Sequence, residues 1–171
     1  MYSKATQTLF DEHQIILQAI EQANALLQSE DLSSNKDKLL WYVKFFKEYG
    51  DEFHHQKEEE ILFTFIEENN EMLGGGLISS LTDHHNEFRE ALRDAQEALQ
   101  NEQWSSAKKI MISYFNDMRD HIGAENDELF ISSDSLLSDQ DKENIYYRYQ
   151  DKDRELGEDR KSDYENKIIN S

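Results

Sequence analysis

The segment HHQKEEEILF at 54–63 returns at 121–130 as HIGAENDELF. Both fit the pattern H-x3-E-x3-L-F, so His54 aligns with His121, Glu58 with Glu125, Leu62 with Leu129 and Phe63 with Phe130. Each copy is polar where it begins and apolar where it ends. Residues four apart share a face of an α-helix, so each His–Glu pair addresses one spot and the leucine follows a turn later on the same side. Two copies of this pattern require two helices that share an interior.

A fainter echo joins the other histidines. EHQII at 12–16 aligns with HHNEF at 84–88, matching His13 to His85. The chain therefore reads as an approximate two-fold repeat of a helix hairpin, each half offering one lone histidine and one H-x3-E. Leu9, Phe10, Ile16, Leu17 and Ile20 surround His13 at helical spacing. Leu81, Phe88, Leu92, Ala95 and Leu99 lie in line with His85, and Met111, Tyr114 and Met118 lead into His121 and Glu125. At the double histidines, Gly50 one turn before His54 leaves room, whereas His55 follows Glu48, Asp51 and Glu52. His54 and His85 are expected to face inward, and His55, His84, Glu59 and Glu60 outward.

The same periodicity predicts helices over about 3–28, 37–68, 77–100 and 103–131. DLSSN (31–35) and NNEMLGGG (69–76) are expected to connect them, with SSDSLLSD (132–139) a break before one charged helix that closes the chain. The 171 residues contain no proline, which favours long uninterrupted helices over a turn-rich β fold. The expected fold is all-α: an antiparallel up-down four-helix bundle over 1–131, with a helical extension over 132–171 packed on it.

A net charge of −19 excludes nucleic acid as a natural partner and disfavours anionic membranes. No cysteine is present, which removes disulfides, Fe–S clusters, thiolate zinc sites and cysteine nucleophiles. The first residues, MYSKATQTLFDEHQ, lack a signal-like apolar run, and no stretch suits a membrane span. A cytoplasmic protein is expected.

Taken singly, these residues are unremarkable in function. A lone histidine on an apolar face is ordinarily hydrogen-bonded to a carbonyl, and an i,i+4 His–Glu pair is common on exposed helices. Taken together, four core-facing histidines and two core-facing glutamates cannot be buried cheaply, because each unpaired carboxylate would cost several kcal/mol or become protonated. A bound cation resolves this, and neutral imidazoles with anionic oxygens are the ligand types it needs. Tyr114, seven residues before His121, is a candidate hydrogen-bonding neighbour of such a centre or a plain core residue.

These residues, His13, H54-HQKE58-EEILF63, His85 and H121-IGAE125-NDELF130, resemble the hemerythrin-like proteins, the HHE cation-binding domain family. The resemblance covers the first 131 residues, and the acidic stretch 146–167 is similar to the C-terminal helix of many bacterial members. It implies a bundle around two iron ions joined by an oxo or hydroxo bridge. His13 and His54 would bind one ion, His85 and His121 the other, and Glu58 and Glu125 would bridge them. The chain departs from the oxygen-carrying members in having Leu81 where a further histidine stands and a glutamate four residues after the last histidine rather than an aspartate at five. Two six-coordinate ions offer about twelve positions, of which these six residues and the bridge fill about ten. The open remainder favours reaction with O2, peroxide or NO over reversible carriage, unless His55 or His84 fills a position. A ferritin-like site, which needs Glu-x-x-His on two helices and a lone Glu on the other two, does not fit: only His55 has Glu three residues before it, and the lone candidate ligands are histidines.

Overall fold

The computed structural model describes residues 2–69 and 74–171, and these fold into helices with no strand among them. Helix α1 is Lys4–Leu27, begun by Ser3, whose hydroxyl accepts from the Thr6 amide. The polar 31–35 segment turns tightly, with Asp31 accepting from the amide and hydroxyl of Ser33. Helix α2 then runs over 36–69, α3 over 74–100 and α4 over 104–136. Helix α5 is Asp139–Leu156, started by a reciprocal cap between Ser138 and Asp141, and α6 is Glu158–Ile169. No described helix is long and apolar enough to cross a membrane.

Helices α2 and α4 are not uniform. Wide π-type turns, bonded i→i+5, occupy Phe46–His55 and Glu58–Phe63 in α2 and Glu125–Leu129 in α4. These turns carry His54, His55, Glu58 and Glu125, in keeping with the association of such turns with functional sites.

Three boundaries differ from the sequence expectation. The break expected at 132–139 is displaced, since α4 continues to Leu136. Ser133 and Ser135 donate their hydroxyls to the carbonyls of Leu129 and Ile131, a bond that serines make within a helix. The single closing helix is two helices, divided at Gly157, whose φ of +105° only glycine adopts readily. The expected 69–76 connection lies partly outside the described residues, at 70–73, but Gly74–Gly76 open α3 rather than ending α2. Glycine costs about 1 kcal/mol relative to alanine within a helix, and the first turn has unpaired amides in any case.

The apolar interior forms two clusters with a polar layer between them. Along α1 the order is Leu9 of one cluster, His13, then Ile16 of the other. Along α2 it is reversed: Tyr49, then His54 and Glu58, then Ile61. Helix α3 again runs from Leu81 through His85 to Phe88, and α4 from Ile122 through Glu125 to Leu129. Helices α5 and α6 lie against α1 and α2, adding Ile145 and Tyr149 to one cluster and Tyr164 and Ile168 to the other.

Candidate metal centre

The polar layer brings together all six residues singled out in the sequence. His13, His54, Glu58, His85, His121 and Glu125 are each at most 2% exposed. His55, expected on the surface, is buried with them and stacks on His85 at 3.9 Å between ring centroids. The expectation assumed α-helical periodicity, but the wide turn ending at His55 holds one more residue per turn and lets adjacent histidines face inward. His84 is half-buried, with its Nδ1 3.4 Å from that of His121. Tyr114 is core: its ring packs edge-on to Phe46 and Phe88, and burial pushes its phenol well above the usual value.

Two groups of potential ligands result, His13–His54–Glu58–Glu125 and His55–Glu58–His85–His121, each with its donor atoms within 4.8 Å of one another. The carboxylates span them. Glu58 sets Oε1 3.4 Å from His54 Nε2 and Oε2 3.5 Å from His85 Nε2. Glu125 sets Oε2 3.1 Å from His13 Nε2 and Oε1 3.1 Å from His121 Nε2. Donors about 2.1 Å from a first-row ion stand roughly 3.0–3.4 Å apart around it, so these separations match ligands sharing an ion.

The outer nitrogens fix the tautomers. His54 Nδ1 donates to Glu12 Oε2 at 2.9 Å, His85 Nδ1 to Glu59 Oε1 at 2.8 Å and His13 Nδ1 to Asn126 Oδ1 at 2.8 Å. With the proton on Nδ1, each neutral ring turns a lone pair at Nε2 into the layer, the usual arrangement of a metal-binding histidine. His85 Nε2 and His121 Nε2 approach to 3.0 Å, a contact that calls for a proton or a cation between them. Both oxygens of Glu58, both of Glu125, and the Nε2 atoms of His13 and His54 are buried without a hydrogen-bond partner. Orphaned polar atoms converging in this way fit a bound cation.

Charge agrees with that fit. Burial opposes protonation of His54, yet Glu58 and Glu12 push it up to about 10; His85 is likewise raised to about 9 by Glu125, Glu59 and Glu58 against burial. His55 is held well below its ordinary value by burial and by the neighbouring histidines. Glu125, although buried, is held well below the carboxylate range by His121, His13 and His85. Without a metal, protons on His54 and His85 thus balance the acids, and a cation would replace them.

The family model described as the hemerythrin HHE cation-binding domain matches residues 4–130. The chain belongs to that family. Nothing among the curated proteins matches it. The match takes in α1 to α3 and α4 as far as Phe130, and with them every member of both ligand groups in this HHE domain. Membership carries cation binding with it, and the buried His/Glu groups give that binding a place.

Sequence reasoning missed Glu12, Glu59 and Lys57. Glu59 is half-buried rather than solvated, and although partial burial opposes its ionisation, His85 and Arg89 hold its carboxyl below the usual value. Glu12 and Lys57 are fully buried and bonded to each other at 2.5 Å. Only the position of Glu12, next to His13, marked it in the sequence.

Proposed function

We propose that this HHE-domain chain is a cytoplasmic non-haem di-iron protein that binds or reacts with O2, peroxide or NO, in sensing, scavenging or detoxification. The reading is carried by one observation: Glu58 and Glu125 each divide their two oxygens between the two histidine groups. His13 and His54 would hold one ion, His55, His85 and His121 the other, and the two glutamates would bridge. The alternating order of the two apolar clusters along α1 to α4 supports an up-down antiparallel four-helix bundle around this centre. An N/O set without thiolate suits iron, manganese or zinc, and iron is proposed because it is the metal HHE domains typically bind.

Bound iron would supply one-electron redox change and a coordination position open to a small ligand. The chain's own residues do the rest. Phe130 stacks on His13, Phe63 on His85, and Phe88 meets His121 edge-on, so aromatic rings exclude bulk water around the layer. A surface cavity of about 270 Å³, lined by His84, Phe88, Asp120, His121 and Ala124, reaches the layer from outside.

His55 favours a second reading, reversible binding of one ligand without turnover. A fifth histidine lowers the count of open positions from about two to about one. Both readings are tested by loading the protein anaerobically with Fe(II), counting metal per chain, and following visible absorption on adding O2, peroxide or NO. Two irons and sustained peroxide consumption support turnover. A stable adduct released on lowering O2 supports carriage. Less than one iron per chain, unchanged by His54→Ala, overturns both.

A further inference from the structure

Two acidic and two basic side chains form a closed ring outside the ligand groups. Lys57 Nζ lies 2.5 Å from Glu12 Oε1 and 2.5 Å from Asp153 Oδ1; Lys161 Nζ lies 2.7 Å from Glu12 Oε1 and 3.0 Å from Asp153 Oδ2. Lys57 is wholly buried, Glu12 and Asp153 nearly so. Charges alternate around the ring and cancel, which is what allows them to be buried at all. Burial opposes ionisation of Glu12, yet the two lysines hold its carboxyl well below the usual range.

The ring has two owners. Glu12 and Lys57 stand on α1 and α2, within the family match at 4–130, whereas Asp153 and Lys161 stand on α5 and α6, beyond it. Gly157 brings the latter two together: the turn at φ +105° folds α6 back so that residues eight apart in sequence meet. The ring touches the metal layer at one point, the bond that Glu12 Oε2 accepts from His54 Nδ1.

We infer that Asp153 and Lys161 are positioning residues of the metal centre, so that docking of the α5–α6 pair and metal occupancy at the His54 side stabilise one another. The inference rests on the proposed metal site. With α5–α6 docked, Glu12 is pinned between two lysines with its second oxygen committed to His54. With the pair undocked, half the ring is lost, Lys57 and Glu12 are left half-compensated, and Glu12 is free to turn away from His54. Linkage is reciprocal, so a metal that fixes His54 must favour the docked helices by the same factor.

The test uses the full chain loaded with Fe(II), with two readouts: release of iron to an excess of chelator, and amide hydrogen exchange over 139–169 with and without iron. Asp153→Asn and Lys161→Met are compared with Lys152→Ala, which removes an α5–α2 ion pair to exposed Glu60 without touching Glu12. Expected are release about ten-fold faster in the first two variants, at the low end for outer partners of a ligand, and unchanged release in Lys152→Ala. In the wild type, iron should slow exchange across α5–α6. Wild-type release rates in Asp153→Asn and Lys161→Met overturn the inference. If those variants do not fold, the wild-type exchange decides alone, and rates over 139–169 that ignore iron overturn it. A wild-type chain that retains no iron overturns the proposed function as well, whereas iron retained without these responses overturns only the coupling.

Discussion

On one side of the candidate centre, His54 leans on Glu12, which buried Lys57 and partly exposed Lys161 hold, and His13 leans on Asn126 beneath a stacked Phe130. On the other, His85 leans on Glu59, one-quarter exposed and held by Arg89, itself one-third exposed, while His121 meets half-buried His84 at the edge of the 270 Å³ cavity. The ligand types match across the pair; the surroundings do not. The first side is closed by charge pairs that are buried but for part of Lys161, and the second is braced by groups that water can partly replace. In the proposed centre, the closed side would set retention of metal and the open side would admit ligands.

The largest effect should come from the residue both sides share. Glu58→Gln keeps the volume but removes the charge that spans the groups, so metal per chain should fall from about two to below one, with affinity lower by at least about 100-fold. Metal analysis after gel filtration checks this, and two retained ions would mean the sides are independent.

Proton competition comes next. His54 and His85, raised to about 10 and about 9, are protonated without metal at neutral pH, so affinity should climb with pH between ~6.5 and 9, by up to about 100-fold per unit if both protons leave. The His85 side, with the lower value, should load at the lower pH. The metal-free fold shows the opposite trend: raised values stabilise it fully below ~6.5, and that contribution is lost as pH rises through 9 to 10. Isotherms at several pH values, with thermal melts of the metal-free protein, test both signs.

Smaller effects separate the two braces. Glu12→Gln should speed metal loss about ten-fold or more, and Glu59→Gln by less, because water can take the place of a one-quarter-exposed carboxylate. Equal effects would erase the distinction between a closed and an open side. The smallest change is expected in a rate alone: Ala124→Trp narrows the cavity and should slow azide binding to the iron-loaded protein a few-fold, with metal content unchanged. A wild-type binding rate would place the entrance elsewhere.

The repeat and the apolar periodicity made the helical fold legible, and the spacing of His13, His54, Glu58, His85, His121 and Glu125 identified residues that the structure gathers in one layer. His55 was hidden because its inward turn depends on π-type bonding that no local preference announces. Glu12, Lys57 and Asp153 were hidden for another reason. A charged residue reads as surface until its partner is known, and Asp153 lies 96 residues beyond Lys57. Gly157 does leave a mark, a lone glycine in a charged helical stretch, and the break expected at 132–139 falls later because serine also bonds back within helices.

The wide turn of α2 has a consequence for insertions and deletions. Removing one residue between Phe46 and Phe53 would let that turn close to ordinary i→i+4 bonding and rotate the following pair, so that His54 and His55 could no longer both face the layer. The number of histidines offered to the centre is therefore written in the length of the helix as well as in its letters. A chain could change from five inward histidines to four by losing a residue that never touches the site.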